Sequence, residues 1–316
     1  MKEWKIAFVG MGSIGKRHFH NVCGYLAQRG DGYQIDLYRH DLSIPLDANI
    51  AENISNQIEF SKESVIEKKY DVVFITNPTS LHFETLKLFL PETKAAFIEK
   101  PVFDRADVDL SLLSGLNDTM CYVACPLRYH PVLQYIREFV DCRNAYAVRA
   151  ISSSYLPDWR PNTDYRTCYS AHREMGGGVA IDLIHEWDYL TYLFGMPKRG
   201  FSIRDKVSNL EIDSDDIAMY IANTGRTAIE LHLDYFGRSA MRQLEVFLPD
   251  KTVVCDLIGG NVCIDNSDIA FRYERNDYQL EEIAHFFDIF EGRHENDNSI
   301  QHAMKVLRLA EGVFSE

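Results

Sequence analysis

The chain has 316 residues, 46% of them hydrophobic, and its 33 basic and 47 acidic side chains give a formal net charge of −14. This length is enough for two domains with a sizeable core. The acidic balance disfavours general affinity for nucleic acid, whose backbone is polyanionic. No apolar stretch is long enough to span a bilayer, and the N-terminal segment "MKEWKIAFVG" lacks the apolar core of a signal peptide. We therefore expect a cytoplasmic protein with no nucleic-acid partner and no membrane partner.

The seven cysteines are odd in number, scattered and without a C-x-x-C pair. Such usage is typical of reduced thiols in a cytosolic protein. Cys121 and Cys125 are close enough in sequence to share a metal ion, but no second pair of ligands with suitable spacing accompanies them. We therefore predict no metal site.

The first 124 residues alternate short apolar runs with helical segments. Glycine or proline ends most of the apolar runs, as is typical of buried parallel strands. The predicted strands are 5–10, 33–41, 70–78, 94–101 and 120–126, and the predicted helices are 13–29 and 81–90. This alternation predicts an α/β fold with a Rossmann-type, doubly wound parallel sheet over residues 1–124.

The pattern changes after about Cys125. A helix and a strand are predicted first, and then a mostly apolar helix within "GGGVAIDLIHEWDYLTYLFG" at 176–195. From Phe201 onward, β-rich runs such as "DIAMYIAN", "TAIELHLDY" and "RQLEVFLPD" follow one another between turns, which indicates a mostly antiparallel sheet. With a final helical region from about Leu280, the pattern predicts a second α/β domain over 125–316.

A G-x-G-x-x-G pattern lies directly after the first predicted strand and directly before the first helix. The first glycine permits a tight turn, the second lets the backbone approach a pyrophosphate, and the third lets helix and strand pack closely. The helix N-terminus then stabilises the phosphate charge. In this strand–turn–helix context the pattern predicts a dinucleotide site. The residues assigned to it are Gly10, Gly12, Ser13, Ile14 and Gly15.

The end of the second predicted strand indicates which dinucleotide binds. NAD-type folds usually place an acidic residue there, about 20 residues after the glycines, for the ribose hydroxyls. This sequence has Arg39 at about that place, followed by His40. A guanidinium favours a 2′-phosphate, so NADP is our first choice and NAD the alternative. The rival acids are Asp36, inside the strand, and Asp41, beyond Arg39.

The stretch "FIEKPVF" places Glu99, Lys100 and Pro101 at the end of a parallel strand. In open α/β sheets, ligands bind beyond the carboxyl ends of the strands. Lys100 is therefore well placed to act on a substrate or a cofactor. The alternative is a surface lysine beside a turn proline.

Several stretches, in their order and spacing, resemble the Gfo/Idh/MocA oxidoreductases, the family of glucose–fructose oxidoreductase and inositol dehydrogenase. They are "VGMGSIGKRH", "ITNPTSLH", "EKP", "RYHP", "GGGVAIDLIHEWD" and "EEIAHFFDIFEG". The resemblance covers essentially the whole chain. It implies a Rossmann domain, a second α/β domain with a large open sheet, and oxidation or reduction of sugars, sugar nucleotides or cyclitols with NAD(P). Because that sheet often forms the subunit interface in the family, a homodimer or homotetramer is also implied.

The resemblance assigns roles to residues at matching positions. Lys100 matches the family lysine near the nicotinamide and the reacting hydroxyl, and with Glu99 it is expected to contact the cofactor. The segment after the third Rossmann strand also contacts the cofactor in the family. The matching residues here are Thr76, Asn77, Pro78 and His82.

The family's helix motif is G-G-G-x-x-x-D-x-G-x-H-x-x-D, in which the aspartate and histidine serve substrate binding and acid–base chemistry. This chain departs from it, because Asp182 and His185 are three positions apart and Ile184 replaces the glycine. Counted from the glycines, Glu186 falls at the histidine position; counted back from Asp188, His185 does. The D-x-x-H-E-x-D form resembles a subgroup from bacterial surface-polysaccharide gene clusters.

On a continuous helix, residues three and four apart share a face. Asp182, His185, Glu186 and Tyr189 are therefore predicted to form one polar stripe, with Asp188 off it. Our first candidate for the general acid/base is His185, oriented by Asp182 or Glu186, and the second is Glu186. The alternative is a buried network of histidine and carboxylates with a structural role.

The polar loop before this helix, "YLPDWRPNTDYRTCYSAHRE", is rich in aromatic and cationic side chains. Aromatic faces stack on sugar rings or bases, and arginines bind carboxylates or phosphates bidentately. With "CPLRYHP", the loop predicts a pocket for an anionic substrate such as a nucleotide sugar or a sugar acid. The alternative is that several of these residues form interdomain or subunit salt bridges. The candidate substrate residues are Arg128, Tyr129, Trp159, Arg160, Tyr165 and Arg166.

Together these features predict an NAD(P)-dependent oxidoreductase that transfers a hydride between the nicotinamide and a hydroxyl or keto carbon of a sugar or nucleotide sugar. Two alternatives stay open. One is redox-neutral chemistry on a retained NAD(H), and the other is a non-catalytic, NADP-binding sensor or regulator.

Overall fold

The computed structural model describes residues 2–66 and 68–314, which divide into two compact units. Unit 1 comprises Met1–Ala124 and Gln279–Met304, and unit 2 comprises Cys125–Tyr278 and Lys305–Glu316. Each unit is built around its own sheet.

Unit 1 is a parallel sheet with helices in its connections. Its strands are β1 (Glu3–Val9), β2 (Gly32–Arg39), β3 (Asn56–Glu59), β4 (Tyr70–Ile75), β5 (Thr93–Ile98) and β6 (Met120–Val123). Its connecting helices are α1 (Ser13–Arg29), α2 (Ala48–Ala51), α3 (Lys62–Val65) and α4 (His82–Phe89). Within the described residues the strand order is β3-β2-β1-β4-β5-β6, every pair parallel, which confirms the predicted doubly wound sheet. The order reverses between β1 and β4, the point at which such sheets bind ligands.

The predicted strands of unit 1 extend past the observed ones at their carboxyl ends, by up to three residues. The excess is 76–78 after β4, 99–101 after β5 and 124–126 after β6. Each of these segments ends in proline, and its first residue, Thr76, Glu99 or Ala124, still donates one backbone hydrogen bond to the neighbouring strand. They lie at the edge where a parallel sheet presents side chains and backbone to a ligand.

Unit 2 contains an open, mostly antiparallel sheet. Its strands are β7 (Ala147–Tyr155), β8 (Arg199–Asp205), β9 (Ile217–Asn223), β10 (Ala228–Asp234), β11 (Phe236–Phe247), β12 (Thr252–Asp256), β13 (Asn261–Ile264) and β14 (Ser267–Ala270). Over the described ranges their order is β14-β13-β12-β11-β7-β10-β9-β8, with β7 and β10 as the one parallel pair. The prediction of a large, mostly antiparallel sheet is confirmed.

The helices of the second half of the chain are α5 (Pro131–Phe139), α6 (Val179–Asp182), α7 (His185–Phe194), α8 (Asp277–Phe290) and α9 (Ile300–Ala310). None of the helices in residues 2–66 and 68–314 combines the length and apolarity needed to cross a bilayer.

The C-terminal segment departs from the prediction of one domain over 125–316. Most of α8 belongs to unit 1, where Ile283, Phe286 and Phe287 are buried in the core cluster of the Rossmann sheet. An amphipathic helix packs on the apolar surface that it can bury, whatever its position in the chain. The compact units therefore divide the chain at Cys125 and again between Tyr278 and Gln279 and between Met304 and Lys305.

The predicted helix at 176–195 is two short helices, with a break at Leu183 (φ −96°, ψ 29°) between α6 and α7. The three glycines before α6 are required by the backbone. Gly176 and Gly178 have φ of +78° and +132°, and a Cβ on Gly177 would lie 2.1 Å from the carbonyl oxygen of Tyr169. The glycine run therefore makes a close approach between the polar loop and α6.

Candidate functional site

The glycine turn of unit 1 has the geometry of a dinucleotide site. Gly10 has φ +91°, and a Cβ on Gly15 would lie 2.8 Å from Oγ1 of Thr76, so these two glycines serve the turn and its packing. A Cβ on Gly12 would meet no atom of the described residues within 4 Å. Open space therefore lies beside the N-terminus of α1, where a pyrophosphate fits.

The segment after β4 fastens this turn. The Thr76 hydroxyl donates to the Gly10 carbonyl oxygen at 2.9 Å, and Asn77 Nδ2 donates to Thr85 Oγ1 at 2.8 Å. Oδ1 of Asn77 is buried without a hydrogen-bond partner among the described residues. Pro78 follows directly. Thr76, Asn77 and Pro78 thus remain predicted cofactor residues.

His82 departs from the prediction. Its side chain is fully buried, and its ring nitrogens lie 3.0 Å from the Asn77 carbonyl oxygen and 3.1 Å from that of Val102. Burial lowers the pKa of His82, which favours the neutral ring. His82 therefore holds two loops together, and its contact with the cofactor stays a prediction.

Arg39 ends β2, as predicted, and His40 follows it on the exposed surface. The Arg39 guanidinium donates to the Ile44 carbonyl oxygen at 2.5 Å and to Gln57 Oε1 at 3.0 Å. These bonds orient its planar fork at the end of the strand.

The rival acids are both engaged. Asp36 accepts hydrogen bonds from Asn56 at 2.7 Å and from Tyr70 at 2.8 Å. Burial alone raises the pKa of Asp36, but these hydrogen bonds hold it below its ordinary value. Asp41 is exposed, and its Oδ1 accepts from the backbone N–H of Ser43 at 2.8 Å. Asp36 is thus held by side chains of the sheet, and Asp41 by the backbone of its own loop.

Glu99 and Lys100 follow β5. Glu99 is buried, its Oε1 contacts Nε2 of the buried His18, and its Oε2 accepts from the backbone N–H of Lys100 at 3.1 Å. Burial opposes ionisation, but the hydrogen bond and charge of His18 keep the pKa of Glu99 below its ordinary value. Both carboxylate oxygens are engaged within unit 1, and the contact of Glu99 with the cofactor stays a prediction. Lys100 remains a predicted site residue.

In unit 2, Asp182 is clamped by two phenols. The Tyr169 hydroxyl donates to its Oδ1 and the Tyr235 hydroxyl to its Oδ2, each at 2.5 Å. Burial, and then the Asp182 charge, raise the pKa of both tyrosines well above its ordinary value, so both donate as neutral phenols. Asp182 is itself buried, with an exposed fraction of 5%.

Glu186 has a different partner. It is fully buried, and its Oε1 lies 2.7 Å from Nε of Arg242 on β11. Because α6 and α7 are separate, Asp182 and Glu186 do not share the predicted polar stripe. The role of Glu186 as the second candidate for the acid/base stays a prediction, and the structure places its carboxylate in a buried ion pair.

Asp188 and Arg128 form a buried bidentate pair. Nε and Nη2 of Arg128 donate to the two carboxylate oxygens of Asp188 at 2.9 and 2.6 Å. The exposed fractions of the two side chains are 1% and 6%. The structure thus places Arg128 in a buried ion pair, and its substrate contact stays a prediction. The neighbouring Tyr129 is half-buried.

The polar loop forms a small pocket of its own. The lining residues are Leu156, Pro157, Trp159, Arg160, Thr163, Tyr165, Cys168 and Ser170. Three of the predicted substrate residues, Trp159, Arg160 and Tyr165, are thereby brought together. Arg166 does not line this pocket and pairs with Asp164 and Glu211 of the same unit, each at 2.9 Å, so its substrate contact stays a prediction.

His185 begins α7 and is half-buried. The other three ionisable groups of this segment are buried and engaged, as described above. The described residues contain no group of three or more His, Cys, Asp or Glu arranged to hold a metal ion.

Sequence reasoning missed four residues of these networks: His18, Tyr169, Tyr235 and Arg242. His18 had a signal, because it lies three positions after Gly15 and one turn before Val22 on the buried face of α1. Tyr235 lies 53 positions from Asp182, and nothing local links the two.

The reversal of strand order and the open glycine turn are features of a dinucleotide-binding domain. Residues 4–110 match the model of the GFO_IDH_MocA family, described as the oxidoreductase family with an NAD-binding Rossmann fold. The match covers less than half of the chain and shows that this segment is similar to the Gfo/Idh/MocA oxidoreductases.

Known proteins resemble the chain at low identity. An uncharacterized oxidoreductase of Synechocystis is 26% identical over 164 residues, which cover 51% of this chain and 44% of that relative's length. Levoglucosan dehydrogenase, solved in complex with NADH, superposes with a TM-score of 0.83 at 14% identity, covering 99% of this chain and 96% of that one. UDP-N-acetylglucosamine 3-dehydrogenase GnnA from Acidithiobacillus ferrooxidans superposes with a TM-score of 0.76 at 19% identity, covering 98% and 96%. These two structures have the same fold over nearly the whole chain.

Proposed function

We propose that this chain is an NADP-dependent dehydrogenase or reductase that acts on a hydroxyl or keto carbon of a sugar or nucleotide sugar. The observation that carries the proposal is the open glycine turn at the β1/β4 switch point, in the same sheet as Lys100 after β5. The family match and two fold neighbours named as sugar and nucleotide-sugar dehydrogenases support it.

NADP rather than NAD is proposed from the end of β2. A ribose-binding acid is replaced there by Arg39, whose guanidinium is oriented by Ile44 and Gln57. The Asp36 carboxylate is held by hydrogen bonds from Asn56 and Tyr70. A guanidinium so placed suits a 2′-phosphate, which it binds through two parallel hydrogen bonds.

The nicotinamide, when bound, supplies the hydride chemistry. In this proposal the Lys100 ammonium hydrogen-bonds the reacting oxygen. His185 accepts or donates the proton, because it is half-buried whereas the two neighbouring acids are buried. Asp182 is held in one orientation by Tyr169 and Tyr235, and in this proposal it serves substrate binding.

The pocket of the polar loop suits an anionic sugar derivative. Trp159 and Tyr165 offer aromatic faces for a sugar ring or base, and Arg160 offers a cation for a phosphate or carboxylate. We propose a nucleotide sugar or a sugar acid as the substrate.

We also propose a homodimer or homotetramer. The sheet of unit 2 exposes a contiguous apolar patch at its β8–β9 edge, where Phe201 pairs with Ile221 and Ile203 with Met219. Phe201 and Ile221 are 67% and 69% exposed. Large exposed apolar side chains that adjoin one another mark interaction surfaces.

The seven cysteines, all free, support a reducing, cytoplasmic location.

Substitution of Lys100 and His185 tests the proposed chemistry. Lys100→Ala and His185→Asn are each expected to lower kcat about 100-fold or more, with the NADPH Kd changed by less than about threefold. Turnover is measured over a panel of sugars, sugar acids and nucleotide sugars, and Kd by fluorescence titration with NADPH and NADH. Wild type is expected to prefer NADPH.

Lys94→Ala is the matched control, because Lys94 lies on β5, the strand that precedes Lys100, and its ammonium is exposed beside Asp71. It is expected to turn over like wild type. The proposed chemistry fails if both site variants retain wild-type turnover. Cofactor binding with no turnover by wild type on any member of the panel would favour the sensor alternative instead.

A further inference from the structure

The buried pair of His18 and Glu99 has no part in the chemistry proposed above, and burial makes it costly. Their exposed fractions are 1% and 8%. A buried carboxylate is tolerated when both of its oxygens are hydrogen-bonded, as they are here by His18 and by the Lys100 backbone. The pair therefore needs a reason beyond packing.

The position of the pair suggests that reason. The Glu99 N–H donates to the Ile75 carbonyl oxygen at 3.0 Å and continues the ladder with β4. The next N–H, that of Lys100, donates to the Glu99 carboxylate, and Pro101 after it has no N–H to donate. The Lys100 N–H therefore bonds to the Glu99 carboxylate instead of a neighbouring strand. This hydrogen bond fixes the backbone from which the Lys100 side chain projects.

His18 holds that carboxylate from α1. Its ring packs edge-on against Phe97, with centroids 4.9 Å apart, and its Nδ1 is buried without a hydrogen-bond partner in the described part of the chain. The polar contact of the ring is therefore the one with Glu99. His18 is carried by the same helix whose N-terminus follows the glycine turn.

We propose that His18 is a positioning residue for Lys100, acting through Glu99. Two contacts, from imidazole to carboxylate and from carboxylate to the Lys100 N–H, link the dinucleotide-binding helix to the lysine. The inference rests on the proposed function in one respect, that Lys100 acts on the reacting oxygen. Its structural part, that His18 orders the Lys100 backbone, is independent of the reaction.

Two substitutions of His18 separate the hydrogen bond from the packing. His18→Met keeps the side-chain volume and removes the donor, whereas His18→Gln places an amide N–H near the position of Nε2. We expect His18→Met to lower kcat about 10-fold or more while the NADPH Kd stays within about twofold, since misplacing a catalytic group costs turnover rather than cofactor binding. His18→Gln is expected to restore kcat to within about threefold of wild type.

A measurement that needs no turnover accompanies these. Hydrogen exchange at the Lys100 amide, followed by NMR on the whole protein without cofactor, is expected to be faster in His18→Met and close to wild type in His18→Gln. The inference is overturned if the Lys100 amide exchanges alike in all three proteins, or if the two variants lose kcat and melting temperature in parallel. If wild type proves inactive on every substrate while the amide responds as expected, the positioning role stands and the proposed function fails.

Discussion

Three acids lie within or beside α6 and α7, and each is bound to a partner elsewhere in unit 2. Asp182 accepts from two tyrosines, Glu186 pairs with an arginine, and Asp188 forms a bidentate pair with Arg128. An ionised carboxylate is kept in an apolar setting by such partners. Of the four ionisable groups in this segment, His185 alone is half-buried rather than buried, which is why the proposed proton transfer is assigned to it.

Removing one member of the Asp188–Arg128 pair tests the structural assignment. Asp188→Asn leaves the Arg128 guanidinium buried without its counter-charge, so we expect the free energy of unfolding to fall by about 3–5 kcal/mol. Urea denaturation followed by circular dichroism measures it.

The matched control is Arg149→Ala, which breaks exposed pairs with Glu230 and Glu245 on the sheet surface. It is expected to cost less than about 1 kcal/mol. Equal effects of the two substitutions would contradict a stabilising role for the buried pair.

At this scale the sequence predicts what depends on neighbours in the chain. The roles of Gly10 and Gly15 followed from the pattern, since a turn is a local structure. Arg128 was predicted to bind substrate because its charge was visible and its partner was not. The partner lies 60 positions away, and only the fold brings it close.

Elements were predicted well where their end signals are local. The helix at 13–29 has its observed bounds as α1, because Gly12 precedes it and Gly30, with φ +70°, ends it in the left-handed conformation. The helix at 176–195 was wrong as one element. Its apolar periodicity continues through Leu183, where the structure breaks the helix, and the adjacent Asp182 bonds to Tyr235, 53 positions away.

Paired glycine substitutions test why the run before α6 is glycine. Gly177→Ala places a Cβ 2.1 Å from the Tyr169 carbonyl oxygen, where backbone must move. Because Tyr169 also clamps Asp182, we expect a loss of stability of about 2 kcal/mol or more together with reduced turnover. Thermal unfolding and activity assays measure the two effects.

Gly24→Ala provides the control within a helix. A Cβ there meets no described atom within 4 Å, and Gly24 lies inside α1. The substitution is expected to stabilise the protein by up to about 1 kcal/mol, since alanine is the better helix former. If Gly177→Ala were as well tolerated as Gly24→Ala, the close approach would not explain the glycine.

For the whole molecule, the architecture of each sheet followed from the order of strands and helices, but the division of the chain did not. The boundary at Cys125 coincides with a change of pattern that can be read locally. The return of α8 to unit 1 rests on Phe286 and Phe287, which pack in the same core as Trp4. The apolar face of α8 predicts that the helix is buried on that side. It does not indicate which of the two sheets covers it.

The exposed patch at the β8–β9 edge makes a prediction about assembly. Four apolar side chains, Phe201, Ile203, Met219 and Ile221, face solvent on adjacent strands of one chain. If a second copy covers them, Ile221→Lys places an unpaired charge in the buried interface. The assembly is then expected to dissociate toward single chains. Light scattering after size-exclusion chromatography, at several protein concentrations, gives the mass of each species.

Leu112→Lys is the control for this substitution. Leu112 is 56% exposed and belongs to unit 1, not to the sheet that carries the patch. The same change of charge there is expected to leave the mass of the assembly unchanged. A wild-type protein that stays a single chain at high concentration would contradict the proposed assembly. An assembly that Ile221→Lys leaves intact would also contradict it. A lysine buried at the centre of an apolar interface is destabilising, so its tolerance would mean that the interface lies elsewhere.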